Sequence, residues 1–319
     1  MLQKKLSEET VMTKLFVLLL IAFGSLFVFS FLAVLLIEPI FGVNIAEATS
    51  LVIAQENHLA LNALKFMQLL NAIGIFIVPP IVFVMLVTNN KLKYLNLNTA
   101  GPSPILYLII PAIMLGGMPL INFMAEINNY LQFPEWLSGV EKWMKASEES
   151  AKQITTAFLQ VDNIQGLLYN VLLIAVIPAV GEELLFRGVL QRLINQGTNS
   201  KHWGIWIAAF LFSALHMQFY GFLPRFVMGA AFGYMLVWSG SLWTPIFAHF
   251  VNNGAAVLVS YLIYQRSITP EIEHIGEGEG QALQVATSAI VVFALLWLFY
   301  SISIKEKKAS GELSNSGIQ

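Results

Sequence analysis

The chain has no cysteine and, for its size, little charge: among 319 residues, Asp, Glu, Lys and Arg together make up 11%. The missing thiols exclude structural disulfides, Cys-ligated metals and cysteine nucleophiles together. They assign no redox compartment. A soluble domain carries about 25% charged residues, so a soluble globular fold is excluded too. There is no basic cluster, and the formal net charge is −2. Nothing here would track a phosphate backbone, and no nucleic-acid partner is expected. No internal repeat is visible, which weighs against transporters built from duplicated halves. The zinc-protease pattern His-Glu-x-x-His is also absent.

What the chain does have is apolar length. It is 57% hydrophobic with a mean hydropathy of +0.70, the composition of an integral membrane protein. A span needs about 17–25 apolar residues. Runs of that kind fall near 15–37, 66–87, 104–124, 164–185, 203–217, 222–239, 242–263 and 284–304. The pattern predicts an all-α, polytopic membrane helix bundle of about eight transmembrane helices. The first run, Leu15–Ile37, ends in Glu38-Pro39 rather than in a small-residue cleavage site, so it reads as a retained span.

Lys and Arg in the connections set the orientation. With the N-terminus inside, ten cations fall on the cytoplasmic side, including Lys4, Lys5, Lys14, Lys91, Lys93, Arg192 and Lys201. Six, namely Lys65, Lys142, Lys145, Lys152, Arg225 and Arg266, fall on the other. That bias predicts both termini cytoplasmic, in the plasma membrane of a prokaryote. Residues 38–65 carry little pattern. Within 125–163, Trp136, Val140, Trp143 and Met144 share one face of a helix opposite Glu135, Glu141, Lys142 and Lys145. This amphipathic segment would lie on the outer membrane interface or pack over the bundle. Glu271–Gly280 reads as a solvated acidic loop, and the tail after Lys305 as polar and disordered. Three regions follow: 1–159, N-terminal helices with the amphipathic segment; 160–264, a core; and 265–319, the acidic loop, last span and tail.

The chemistry is concentrated in the core. Gly181-Glu182-Glu183-Leu184-Leu185-Phe186-Arg187-Gly188 sets two adjacent carboxylates inside apolar sequence. An ionised carboxylate in hydrocarbon costs about 2.5–3.5 kcal/mol on insertion scales, so it needs partners and usually has a use. Glu183 and Arg187 are i and i+4, on one helical face in the favourable acid-then-base order. Glu182 points about 100° away and is the freer group. Of five histidines, His58, His202 and His274 fall in connections, where a solvated surface position is the ordinary reading. His216 and His249 lie within apolar runs. Phe212 and His216 share a face at i and i+4, as do His249 and Asn253, a spacing that suits two donors aimed at one oxyanion. Asn252 reads as a helix–helix hydrogen bond, and Gly229 with Gly233 as close helix packing.

Counting from the turn between Asn195 and Trp203, Glu182 and His216 each lie 13 residues away. At about 1.5 Å per residue, antiparallel neighbours would bring them level. His249 is only seven residues beyond Leu242, which requires a recessed turn or a tilted helix.

Glu182-Glu183-x-x-x-Arg187, Phe212-x-x-x-His216 and His249-x-x-x-Asn253, in this order, resemble the three motifs of the CPBP family. That family holds type II CAAX prenyl endopeptidases and bacteriocin-processing or immunity-type membrane proteins. The resemblance spans about 160–264 and implies an intramembrane endopeptidase. It implies Glu182 as general base on a water that His216 helps to hold, with Glu183 and Arg187 positioning the site. His249 and Asn253 would stabilise the oxyanion. These roles match what peptide hydrolysis requires. The partners implied are membrane lipid and a peptide or protein substrate, prenylated or not. Oligomeric state is left open.

No cofactor is required on this reading. Zinc is the alternative, with Glu182, His216 and His249 as its three ligands and a fourth position open to water. Two further readings belong to other classes. A non-catalytic immunity or scaffold protein would more naturally lack a motif residue, and none is missing. A proton-coupled transporter would also bury Glu and His, but here the charge is gathered in one half of the chain.

Overall fold

The computed structural model describes residues 6–50, 57–97, 102–130, 134–278 and 280–309. Lys4, Lys5, Glu279 and the tail from 310 lie outside the described residues. Among those described there is no strand. The protein is a polytopic helical bundle, integral to the membrane.

Helix α1, Val11–Phe41, starts on Thr10, whose hydroxyl accepts from the Thr13 amide at 3.2 Å, and stops at Gly42. It buries only Leu18, Ala33 and Ile37, so most of its surface is an apolar face for lipid. Helix α2, His58–Val87, begins eight residues earlier than the apolar run suggests. Its first turns carry His58, capped from Asn57, and Lys65, which is 3% exposed. Neither residue is a loop residue. The Lys65 amine donates to Phe158 O at 2.9 Å and to Asn170 Oδ1 at 3.0 Å. A cation so engaged inside the bundle gives no vote on membrane sidedness. The turn Ile73–Ile77 is a π-helix just ahead of Pro79-Pro80, and the wider turn relieves the clash that proline brings to the carbonyl behind it.

The third run is broken. Helix α3, Pro104–Gly116, and α4, Met118–Asn129, meet at Gly117 with a bend of 44°. Helix α5, Ser138–Leu159, is the amphipathic segment. Met144 and Phe158 pack inward, whereas Trp136, just ahead of it, and Trp143 are 81% and 49% exposed. Helix α6, Ile164–Thr198, is continuous over 35 residues, longer than the predicted run. Charged and polar residues after 185 interrupt its hydropathy but not its backbone.

Helix α7, Lys201–Leu215, is followed by α8, Phe222–Ser239, α9, Trp243–Tyr264, and α10, Ala282–Ala309. Arg225 belongs to the first turn of α8 rather than to a loop, and Lys305 continues α10 rather than opening a disordered tail. The acidic loop has a short 3-10 turn, Pro270–His274, tied to α4 through Asn122, which donates to Glu273 O and Ile275 O.

Six helices among the described residues are long and apolar enough to cross a membrane, seven if α3 and α4 make one bent span. An eighth crossing rests on α7, whose 15 residues reach only about 22 Å at 1.5 Å each. The expected eight is therefore six or seven by this measure.

Two apolar cores share α8 and α9, and α6 belongs to the first alone. One gathers Phe83, Leu184, Phe186, Val189, Phe212 and Ile246. The other gathers Ile110, Phe232, Met235, Ala248 and Phe299. The polar residues lie on the seam.

Candidate active site

Glu182 and Glu183 sit in the middle of α6, at the end of the α-helical stretch Ile177–Glu183 and just ahead of the π-helical turn Leu184–Leu190. Pro178 follows an earlier π turn, Val171–Val176, so α6 changes winding on both sides of the glutamates. Both carboxylates are buried, Glu182 at 7% and Glu183 at 0% exposure.

Glu183 is engaged through one oxygen, while its Oε2 is buried with no hydrogen-bond partner. Its Oε1 accepts from Arg187 Nη1 at 2.8 Å and from His249 Nδ1 at 2.9 Å. Arg187, 1% exposed, also donates from Nη2 to Gly229 O at 3.0 Å. Its guanidinium lies 4.5 Å from the Phe212 ring centre and 5.5 Å from that of Phe232. A carboxylate, a carbonyl and two ring faces together satisfy a cation that hydrocarbon alone could not.

Gly229 therefore does more than allow close packing. A Cβ there would stand 3.2 Å from Arg187 Nη2 and from the Phe212 ring, so its bare backbone is what lets the guanidinium reach the carbonyl. The sequence signal was available: a guanidinium has five donors, and one carboxylate does not use them.

At Glu182 the unpartnered oxygen faces two imidazoles. Its Oε2 is buried with no hydrogen-bond partner, yet His249 Nε2 is 3.9 Å away and His216 Nε2 is 4.0 Å away. His216 comes from the C-terminal end of α7, where Met217 takes a left-handed φ of 54° and turns the chain. Its Nδ1 is 2.7 Å from Phe212 O. A carbonyl only accepts, so Nδ1 carries the proton, and in the neutral ring Nε2 offers its lone pair toward Glu182.

The His249 ring is held on Nδ1 by Glu183 and stacked on Phe232 at 5.6 Å. Phe212 meets both imidazoles, at 4.9 Å for His216 and 5.9 Å for His249. The depth of His249, open in the sequence, is thus decided: it is level with Glu182.

Asn253 lies one turn beyond His249 on α9 and donates Nδ2 to Ile174 O at 3.0 Å. It ties α9 to the π turn of α6, and one amide hydrogen is committed there. Asn252 bonds to neighbouring Asn253 at 3.1 Å and not across helices as expected. His202 and His274 lie apart, bonded to Tyr234 and Glu277 at 2.8 Å each.

The exit from α7 is clamped from several sides, which no motif announced. Arg225 donates to Gln218 Oε1 at 2.9 Å and also to the Gln218 carbonyl. Asn128 donates to Phe219 O at 2.6 Å, and the Tyr220 amide donates to Glu148 on α5 at 3.3 Å. The left-handed turn that presents His216 is thereby fixed by α4, α5 and α8.

Residues 164–255 match the family described as "Type II CAAX prenyl endopeptidase Rce1-like". Every motif residue from Glu182 to Asn253 falls inside that range. A stretch of 116 residues is 34% identical to "Uncharacterized protein YpbD" of Bacillus subtilis, covering 35% of this chain and 54% of that protein. Another, of 99 residues, is 25% identical to "Putative membrane peptidase YdiL" of the same organism, covering 31% of this chain and 40% of that one. The chain thus spans about half the length of these curated relatives or less. No solved structure matches it.

Proposed function

We propose, from the premise that residues 164–255 form an Rce1-like segment, that the chain is an intramembrane endopeptidase whose general base is Glu182. One observation carries this reading. An unpartnered buried carboxylate oxygen faces two imidazole nitrogens at 3.9 and 4.0 Å. A water at about 2.8 Å from each of two acceptors bridges a gap of that width.

In the proposed reaction, one water hydrogen goes to Glu182 Oε2 and the other to His216 Nε2, which turns an oxygen lone pair toward the substrate carbonyl. The water oxygen bonds to the carbonyl carbon as Glu182 takes the proton. The oxyanion is met by His249 Nε2–H, the imidazolium form being balanced by Glu183 on Nδ1, and by the second hydrogen of Asn253 Nδ2. When the C–N bond breaks, Glu182 returns its proton to the leaving amine. A carboxylic acid and an amine are released.

Zinc is the competing proposal, and the spacing does not suit it. Tetrahedral zinc with bonds of 2.0–2.1 Å holds its ligands about 3.4 Å apart. The carboxylate–imidazole distances of 3.9 and 4.0 Å are wider, and no group of three ligands converges on a metal geometry among the described residues. No step is assigned to a metal.

The substrate class proposed is a membrane-associated peptide or protein, of the prenylated C-terminal type that the family's description names. The membrane proposed is the plasma membrane of a prokaryote, with 160–264 as the protease core. The test is peptide-level proteomics of the membrane fraction from cells carrying the wild-type chain or Glu182→Gln. The reading expects one or more membrane proteins to lose a terminal peptide only with the wild type. Identical termini in both, together with no cleavage of any reporter peptide by purified protein, would sink it.

A further inference from the structure

Arg225, in the first turn of α8, is a cation that the proposed reaction leaves unused. Its guanidinium rests on neutral acceptors from one residue: Nη1 donates to Gln218 Oε1 at 2.9 Å, and Nη2 donates to the Gln218 carbonyl. Nε is buried with no hydrogen-bond partner. No carboxylate among the described residues comes within 4.0 Å of it, although Glu148 on α5 acts on its charge from farther away. Arg187 is the contrast, with the Glu183 carboxylate at 2.8 Å. A clamp on two neutral acceptors needs donors and no charge. A partly buried charge without an ion partner is costly, and it calls for a use.

The place of the charge suggests that use. Gln218 follows His216 by two residues, so the bonds to Gln218 hold the guanidinium at the exit of α7. There it is near enough to Glu182 and His216 to act electrostatically on both. Gly221 makes the room, since a Cβ there would stand 2.8 Å from each Nη nitrogen. The site is most open on this side: the His216 side chain is 29% exposed, against 9% for Glu182 and 5% for His249. Arg225 is itself only half-buried. A peptide lying across His216 toward Glu182 therefore passes within reach of it.

We propose that Arg225 binds a carboxylate of the substrate beside the scissile bond, and so selects for acidic peptides. This rests on the endopeptidase reading and adds the substrate's chemistry to it. A guanidinium has five N–H donors in a planar fork that matches the two oxygens of a carboxylate. Gln218 takes one hydrogen from each Nη, and the others remain. In an unmodified peptide the carboxylate is either the free C-terminus or an Asp or Glu side chain, and both present the same pair of oxygens.

The test uses the full chain in detergent, carrying Glu182→Gln so that no probe is cut. Three probes are compared: dodecanoyl-Ala-Ala-Leu with a free C-terminus, its C-terminal amide, and dodecanoyl-Ala-Glu-Leu amide. Each apparent Kd is taken from the rise of the unfolding midpoint with probe concentration. At least one carboxylate probe should bind about 10- to 100-fold tighter than the neutral amide, the worth of a charge-assisted hydrogen bond. Which one does so names the source of the carboxylate. Arg225→Gln should abolish the preference, and Arg225→Lys should keep part of it. If Arg225→Gln does not fold, Glu148→Gln decides. It keeps an acceptor for the Tyr220 amide but removes a neighbouring anion, so carboxylate probes should bind about two- to fivefold tighter and the neutral amide should not change. Lys142→Gln, an exposed change on α5, should alter nothing. Three probes that bind equally, or not at all, overturn the proposal. So does a preference that survives Arg225→Gln, ignores Glu148→Gln, or falls as far with Lys142→Gln. Binding is read without turnover, so a failure here is distinct from a failure of the endopeptidase reading, which shows as unchanged protein termini.

Discussion

His249 Nδ1 and Arg187 Nη1 share one acceptor, Glu183 Oε1, at 2.9 and 2.8 Å. Sequence spacing joined Glu183 only to Arg187. Because the same oxygen also orients His249, Glu183 links the ion pair on α6 to the imidazole that faces Glu182. Removing it leaves a buried guanidinium unpaired and an imidazole unheld.

Glu183→Ala should therefore lower stability by about 3–5 kcal/mol, the usual cost of orphaning one member of a buried pair. Adding Arg187→Ala should recover part of that, read as a thermal midpoint in detergent. Activity should not return with it, because His249 still lacks its acceptor. A double variant that regains both would mean that Glu183 serves Arg187 alone.

Glu182→Gln keeps size and hydrogen bonding but cannot take a proton. It should fold with a normal midpoint and lose about 10²–10⁴-fold in activity, the usual worth of a general base. The carboxylates would be assigned the wrong way round if this variant stays active while Glu183→Gln is folded and dead.

Gly229→Ala places a methyl against Arg187 Nη2 and Phe212, each 3.2 Å away. Overpacking of this kind costs about 1–3 kcal/mol, and the displaced guanidinium should reduce activity too. Gly254 is the control, since a Cβ there would meet its nearest neighbour at 3.9 Å. Midpoints that fall equally for the two alanines would count against the Gly229 contact.

Exhaustive chelation of the purified enzyme should leave cleavage of a reporter peptide intact. Activity lost to phenanthroline and restored by stoichiometric zinc would replace the glutamate mechanism with the three-ligand site.

Orientation is tested by single cysteines, since the chain has none. Cysteine at exposed Lys93 should be protected from an impermeant reagent in intact cells, and cysteine at exposed Glu271 should be modified. The reverse result would invert the protein. Both termini share a side only if crossings are even in number, so with α3 and α4 as one span, the short α7 has to count as a crossing.

The apolar runs, the i, i+4 pair Glu183–Arg187 and the lie of Glu182, His216 and His249 within apolar sequence were legible in the sequence, because helical period and hydrocarbon exclusion act on neighbours along the chain. Those forces also account for where the reading erred. Lys65, His58 and Arg225 looked like loop residues because charge lowers local hydropathy, yet a helix can carry a cation whose partners arrive from elsewhere, as Phe158 O and Asn170 do for Lys65. Only tertiary structure decided that His249 is level with Glu182 and that Gly229 supplies a carbonyl to Arg187. The Arg187–Gly229 and Glu182–His249 approaches join residues 42 and 67 positions apart. Their geometry depends on helix tilt, winding and close approach, which the identity of neighbouring residues does not set.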